Sequence, residues 1–301
     1  MLRTIGLVLL VIVLILAVTA YIVATHVLPY AILQPERRVV STTPEDFGLV
    51  YGRPKIQVTD SITLDAYYIP STVEARANLI MLHGIGSCKE VYLNVAKRLA
   101  GIGYNLLLVD QRAHGQSGGE FISFGAHEKY DVCKMVDWLE RRQEGAVLRT
   151  GIYGNSMGGA ISLQALAIEP RLRFGLIEST FTDLHDVTFA YGRRLSGLPL
   201  PRWLTDYVLR RGGQLADFDP ATVRPVDDAR HITQPTLLMH GDADLNIDIA
   251  HGRELHGALG GAEKDFYVIP GGGHADLWDR GGAAYEERFF GFLRRMIEKD
   301  F

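Results

Sequence analysis

Short apolar runs alternate with longer helical stretches through most of this chain, and few architectures accommodate that alternation. Residues 78–82, 105–110, 150–153, 174–178, 236–240 and 264–269 are brief and rich in Leu, Ile and Val. Strands with apolar side chains at successive positions bury both faces, as strands do inside a parallel sheet. The stretches 89–100, 127–140, 160–168, 250–259 and 284–299 read as helices. Such alternation predicts an α/β chain with a mostly parallel central sheet and helices on both faces. Two candidate strands, 55–58 and 64–69, precede the series, and Pro70-Ser71 follows the second as at a hairpin. A length of 301 residues suits one large domain with additions.

One interval breaks the rhythm. Between Ser179 and Pro235 no clear strand occurs, and the composition leans towards helix. That is too long for an ordinary connection. It predicts a helical lid, about residues 181–234, inserted over the carboxyl edge of the sheet. From Arg193 to Arg211, Arg193, Arg194, Arg202, Arg210 and Arg211 have Asp206 as the only acid among them, with Phe189, Tyr191, Trp203 and Tyr207 among or beside them. A solvated cationic surface is one reading. A lid resting on anionic lipid, or meeting an anionic substrate, is the other.

The N-terminus differs from the rest. From Ile5 to Val27 only Gly6, Thr19, Thr25 and His26 interrupt an apolar run long enough to span a bilayer as a helix. A cleaved signal peptide is the rival, with Val18-Thr19-Ala20 as its cutting site. The run continues through Tyr21, Ile22 and Val23, which favours a retained anchor over residues 1–28. Arg3 lies before it and Glu36, Arg37 and Arg38 after it, so the flanking charges give a weak orientation signal. The expectation is a single-pass membrane protein with a cytoplasmic N-terminus and an extracytoplasmic catalytic domain. Pro29, Pro35 and Pro44 mark residues 29–52 as a stem, leaving 53–301 as the folded domain.

Gly154-Asn155-Ser156-Met157-Gly158 has the form G-x-S-x-G, between a strand and an apolar helix. At such a strand-to-helix turn the serine hydroxyl is pushed out of the sheet. Side chains two residues before and after would collide, which explains the glycines. The helix behind the serine aims its N-terminal amides at any anion forming on a substrate. In a chain with 32 glycines the pattern carries weight only through its context.

A nucleophilic serine needs a base, and the base needs an orienting acid. Gly241-Asp242-Ala243-Asp244 follows the strand at 236–240, and Pro270-Gly271-Gly272-Gly273-His274 follows the strand at 264–269. Serine, acid and histidine thus come in that order, each past a later strand.

Five segments together resemble the serine α/β-hydrolases of the monoacylglycerol-lipase and serine aminopeptidase-like branch. They are His83-Gly84-Ile85-Gly86, the stretch from Asp110 to Ser117, Gly154 to Gly159, His240-Gly241-Asp242-Ala243-Asp244, and Gly273-His274-Ala275-Asp276-Leu277. The resemblance runs from about Asn78 to Phe292. It implies the α/β-hydrolase fold, with Ser156 as nucleophile and His274 as its base. The acid it implies is Asp244, four residues after the histidine of the His-Gly pair, with Asp242 as rival and more suited to forming a turn. The amides of Ile85 and Met157 would form the oxyanion hole, each donor worth roughly 3 kcal/mol at such sites. The implied activity is hydrolysis of an ester, thioester or amide through an acyl-enzyme. Anchor and cationic lid favour lipid-like or hydrophobic acyl esters over peptides. An aminopeptidase-like activity and a non-catalytic membrane-tethered scaffold of the same fold are the alternatives. Substrate, acyl chain and oligomeric state are not legible.

Other residues draw structural expectations. His83 precedes the oxyanion loop and suits a structural role. Asp110 and Arg112 suggest an ion pair or loop-shaping hydrogen bonds, with Glu128 and Asp131 pinning that loop. Cys88 and Cys133 read as reduced, half-buried thiols. A net charge of −4 argues against a nucleic-acid partner. His251 and His256 are spaced by five, which does not put both on one helix face as a metal site needs. No dinucleotide fingerprint follows a first strand, so neither metal nor cofactor is expected.

Overall fold

The computed structural model describes residues 2–142 and 149–298, so Lys299, the expected end of the last helix, lies outside them. Eight strands form one sheet: β1 (Lys55–Gln57), β2 (Thr63–Ile69), β3 (Ala77–Leu82), β4 (Tyr104–Val109), β5 (Arg149–Asn155), β6 (Leu172–Glu178), β7 (Thr236–Gly241) and β8 (Lys264–Ile269). Their order is β1-β2-β4-β3-β5-β6-β7-β8. β1 and β2 pair antiparallel with their neighbours, and every other pairing is parallel.

Helices cover both faces. α3 (Leu93–Ala100) and α10 (Leu277–Glu298) pack on one, α4 (Glu128–Arg142), α5 (Met157–Ile168) and α9 (Ile249–Ala258) on the other. β3 shows why its run is unbroken: Leu79 and Met81 face the α3/α10 core, while Ile80 and Leu82 face the α4/α5 core. Each fully buried side chain of this kind contributes about 1.5–3 kcal/mol relative to exposure.

The interval after β6 holds α6 (Leu184–Ser196), α7 (Arg202–Ala216) and α8 (Pro225–Ala229). Asp183 caps α6 by accepting from the N–H groups of His185 and Asp186, and Gly197 ends it at φ +64°. Two contacts involving acids modify the expected cationic cluster. Arg202 bonds Asp186 at 2.5 Å, and Asp206 faces His185 at 2.8 Å.

The expected stem has a different local structure at its start. α1 (Leu2–Ile22) runs through one π-helical turn (Val23–Val27) into α2 (Leu28–Leu33). Pro29 sits in the first turn of α2, where its missing N–H costs nothing. Thr25, Pro29 and Leu33 share one buried face at a spacing of four. Thr25 Oγ1 lies 3.1 Å from Tyr207 Oη on α7, and Leu33 packs over Gly212 and is 1% exposed. The chain stays attached at the end of α2: the Ile122 N–H donates to Leu33 O at 3.0 Å. Arg37 donates to Ser117 O at 2.5 Å and to Gly119 O at 2.6 Å.

Candidate active site

The turn from β5 into α5 presents Ser156. Its backbone sits at φ 55°, ψ −122°, a region that costs a non-glycine residue of order 1–3 kcal/mol. Several bonds hold it there. The Ser156 N–H donates to Glu178 O at 2.8 Å, and Ser156 O accepts from Thr180 Oγ1 at 2.7 Å. The flanking glycines are required by contact. A Cβ on Gly154 would overlap the Gly158 carbonyl, and one on Gly158 would overlap that of Leu82.

His274 lies in the loop between β8 and α10, and its ring spans two partners. Nε2 is 2.9 Å from Ser156 Oγ, and Nδ1 is 2.7 Å from Asp244 Oδ2. A carboxylate can only accept, so Nδ1 donates to it and Nε2 is free to accept from the serine hydroxyl. Asp244 is buried in the loop after β7. Its Oδ1 accepts from the N–H groups of Asn246 and Ile247 at 2.8 and 3.0 Å. Burial disfavours its charge, but hydrogen bonds from His240, His274 and the Ile247 amide overcome that and hold the carboxyl well below its usual range. Asp242 is elsewhere: exposed, it accepts from the Gly271 N–H at 2.6 Å. The structure therefore brings Asp244, and not Asp242, to His274.

Ile85 and Met157 flank the same spot. Met157 opens α5, so its N–H has no partner within the helix. Ile85 lies in the loop after β3, half-exposed, and a Cβ on the adjoining Gly84 would sit 3.3 Å from Ser156 Cβ. That closeness keeps this loop beside the serine.

Residues 73–185 match the family described as serine aminopeptidase, S33. Protein bem46 of Schizosaccharomyces pombe is 26% identical over 260 residues, covering 84% of this chain and 80% of that protein. A monoacylglycerol lipase of Mycolicibacterium smegmatis is 25% identical over 237 residues, covering 68% of this chain and 82% of the lipase. An esterase of Pyrococcus furiosus superimposes with a TM-score of 0.73 at 26% identity, covering 87% of this chain and 98% of the esterase. The chain has the α/β-hydrolase fold.

Three features of the chain were not foreseen. Asp110 and Arg112 do not pair with each other. Asp110 binds Lys89 Nζ at 2.6 Å, whereas Arg112 forms a two-pronged pair with Asp131 at 2.8 and 2.6 Å. Lys89, fully buried, also reaches Asp65 at 2.9 Å. Asp131 pins this loop as expected, but nothing in the local pattern marks Lys89. His114 is the second: its Nε2 accepts from the Gly86 N–H at 3.1 Å, in the loop after β3. Glu178, the third, is a buried acid at the end of β6, two residues before the threonine that holds Ser156 O.

His83 stays structural. Its Nδ1 donates to Gly84 O at 2.8 Å and its Nε2 accepts from the Gln111 N–H at 3.2 Å. Complete burial, with His114 beside it, pushes its pKa down to about 3. Cys88 and Cys133 are both free, Cys88 buried and Cys133 partly so.

Proposed function

We propose that this chain is a membrane-anchored serine esterase working through an acyl-enzyme. One observation carries the reading: the His274 ring bridges Ser156 Oγ at 2.9 Å and Asp244 Oδ2 at 2.7 Å. In this reading Ser156 Oγ attacks the substrate carbonyl carbon as His274 Nε2 takes its proton. The amides of Ile85 and Met157 hold the oxyanion. The carbon–oxygen bond to the leaving alcohol breaks as His274 returns the proton to that oxygen. Water, deprotonated by His274, then releases the acyl group. Asp244 keeps the ring in the tautomer with Nδ1–H and offsets the imidazolium charge.

Esterase and lipase relatives support an acyl substrate. The apolar helix supports a hydrophobic one, presented near a bilayer. It reaches from Arg3 to Leu33, about 46 Å at 1.5 Å per residue, against roughly 30 Å of hydrocarbon. Its excess of about 16 Å is about three turns, most of it the segment from Thr25 to Leu33 that rests on α7. We read residues 1–28 as a single-pass anchor, the domain as extracytoplasmic, and α6 to α8 as the lid.

Turnover of p-nitrophenyl butyrate by the full chain in detergent tests this. Ser156→Ala and His274→Ala each lower kcat by about 10⁴ or more, and Asp244→Asn by roughly 10⁴. Hydrolysis that persists undiminished in His274→Ala contradicts the mechanism.

A further inference from the structure

The α3/α10 side of the sheet carries a buried acid that the mechanism does not use. Glu178 is 4% exposed. Its Oε2 accepts from Tyr153 Oη at 2.8 Å, and its Oε1 accepts from Tyr285 Oη. Both donors are neutral. Among the described residues no Lys, Arg or His forms an ion pair with it, although buried carboxylates ordinarily have one. Asp65 and Asp110 share Lys89, Asp131 holds Arg112, and Asp244 has His274.

Nor is Glu178 sealed in. It lines a cavity of about 440 Å³ between α3 and α10, and His274 lines the same cavity. Ser179, the next residue, lines it too. Ser179 sits at φ 43°, is 2% exposed, and its hydroxyl has no hydrogen-bond partner. A strained non-glycine residue with an orphaned buried hydroxyl marks a wall shaped for something else to complete. Tyr92, Tyr153 and Trp278 supply aromatic surface. Arg98 reaches the cavity from the solvent side, but it is already neutralised by Glu286 at 2.8 and 2.9 Å and lies over the Phe290 ring.

We propose that this cavity is the leaving-group subsite and takes a substituted ammonium, with Glu178 as its counter-charge. His274 must hand a proton to the departing oxygen, so the leaving group lies within reach of that ring, and the cavity shares it. Aromatic faces attract alkylated ammonium groups, and a buried carboxylate without a cation is the charge such a group lacks. Burial pushes the Glu178 carboxyl up to about 7, and a bound cation draws it back down. The substrate class is an acyl ester of an amino alcohol. Its ester carbon–oxygen bond breaks, the alcohol oxygen takes the His274 proton, and the ammonium-bearing alcohol departs. The term "leaving group" rests on the serine-esterase reading, whereas recognition of the cation does not.

Choline and its uncharged isostere 3,3-dimethylbutan-1-ol are titrated by calorimetry at pH 8 against full-length Ser156→Ala in detergent. Butyrylcholine and 3,3-dimethylbutyl butyrate are compared as substrates of the unmodified chain. Choline binds at least about tenfold more tightly than its isostere, and adding Glu178→Gln brings the two within about twofold. Equal affinities, or a preference that survives Glu178→Gln, overturn the proposal. Should Glu178→Gln fail to fold, Trp278→Leu replaces it, and an undiminished preference again overturns the proposal. A choline preference with no turnover of any ester contradicts the catalytic reading and leaves the cation site standing. Turnover with no preference does the reverse.

Discussion

The Gly86 N–H points at His114 Nε2, 3.1 Å away, tying the loop after β3 to the loop that follows β4. His114 Nδ1 donates to Arg112 O at 2.9 Å, so the ring is held as the neutral tautomer that accepts from Gly86. Burial also lowers its pKa, which keeps Nε2 unprotonated. Gly86 itself sits at φ +67°, next to Ile85. In the proposed mechanism His114 is thus a positioning residue for the Ile85 amide, which it does not touch. His114→Leu lowers kcat about tenfold with KM little changed, because an oxyanion donor moves while ground-state binding stays. His114→Gln, whose side-chain oxygen can accept the same bond, recovers part of the loss. Steady-state kinetics on p-nitrophenyl butyrate separates the two constants. Equal effects of Leu and Gln contradict the positioning role.

The C-terminal end of the apolar helix packs into the folded domain. Leu33 is 1% exposed within the same core as α5. Leu33→Ala costs about 3 kcal/mol, the usual penalty for a cavity at such a site. A chain starting at residue 24 keeps these contacts, and one starting at residue 39 loses Leu33 and the Arg37 bonds to the loop carrying His114. Thermal melts of both truncations check this. The shorter chain melts several degrees lower, and equal melting temperatures contradict the packing described.

Glu178 imposes a pH dependence on stability. Its folded pKa of about 7 lies above its ordinary value of 4.5, so the folded state favours the protonated acid. The associated stability is full below pH 4.5 and is lost as pH rises through 7. Glu178→Gln removes that loss, gaining on the unmodified chain by up to roughly 3 kcal/mol between acid and neutral pH. His83 acts in the opposite sense: held neutral with a pKa near 3, it destabilises the fold as pH falls below 6.5. Denaturation of both chains across pH 4.5–8 reads the difference, in which the His83 contribution cancels. A flat difference contradicts the assignment.

Much of the architecture was legible because its signals are local. β3 to β8 lie where short apolar runs predicted them, since a strand buried in a parallel sheet needs no alternation to mark it, and β1 and β2 lie at the two candidate strands before that series. The serine turn was legible through its glycines. What escaped notice depends on partners distant in the chain. Arg37 reaches the loop carrying His114 from 77 residues away, His114 meets Gly86 from 28 residues away, and Lys89 joins Asp65 to Asp110. The docked helix end is a different case. The spacing of Thr25, Pro29 and Leu33 was present, but three prolines drew attention to punctuation over periodicity. Asp183 and Gly197 likewise marked the ends of α6 in a stretch read only as helix-leaning.

Active-site labelling tests the central claim most directly. The full chain in detergent is treated with a fluorophosphonate, and the modified peptide is identified by mass spectrometry. The Ser156 oxygen forms a bond to phosphorus as fluoride leaves, provided His274 takes the hydroxyl proton. The account predicts stoichiometric label on Ser156, none on Ser156→Ala, and labelling at least about a hundredfold slower in His274→Ala. Folded protein that takes no label, or label that persists in Ser156→Ala, contradicts it.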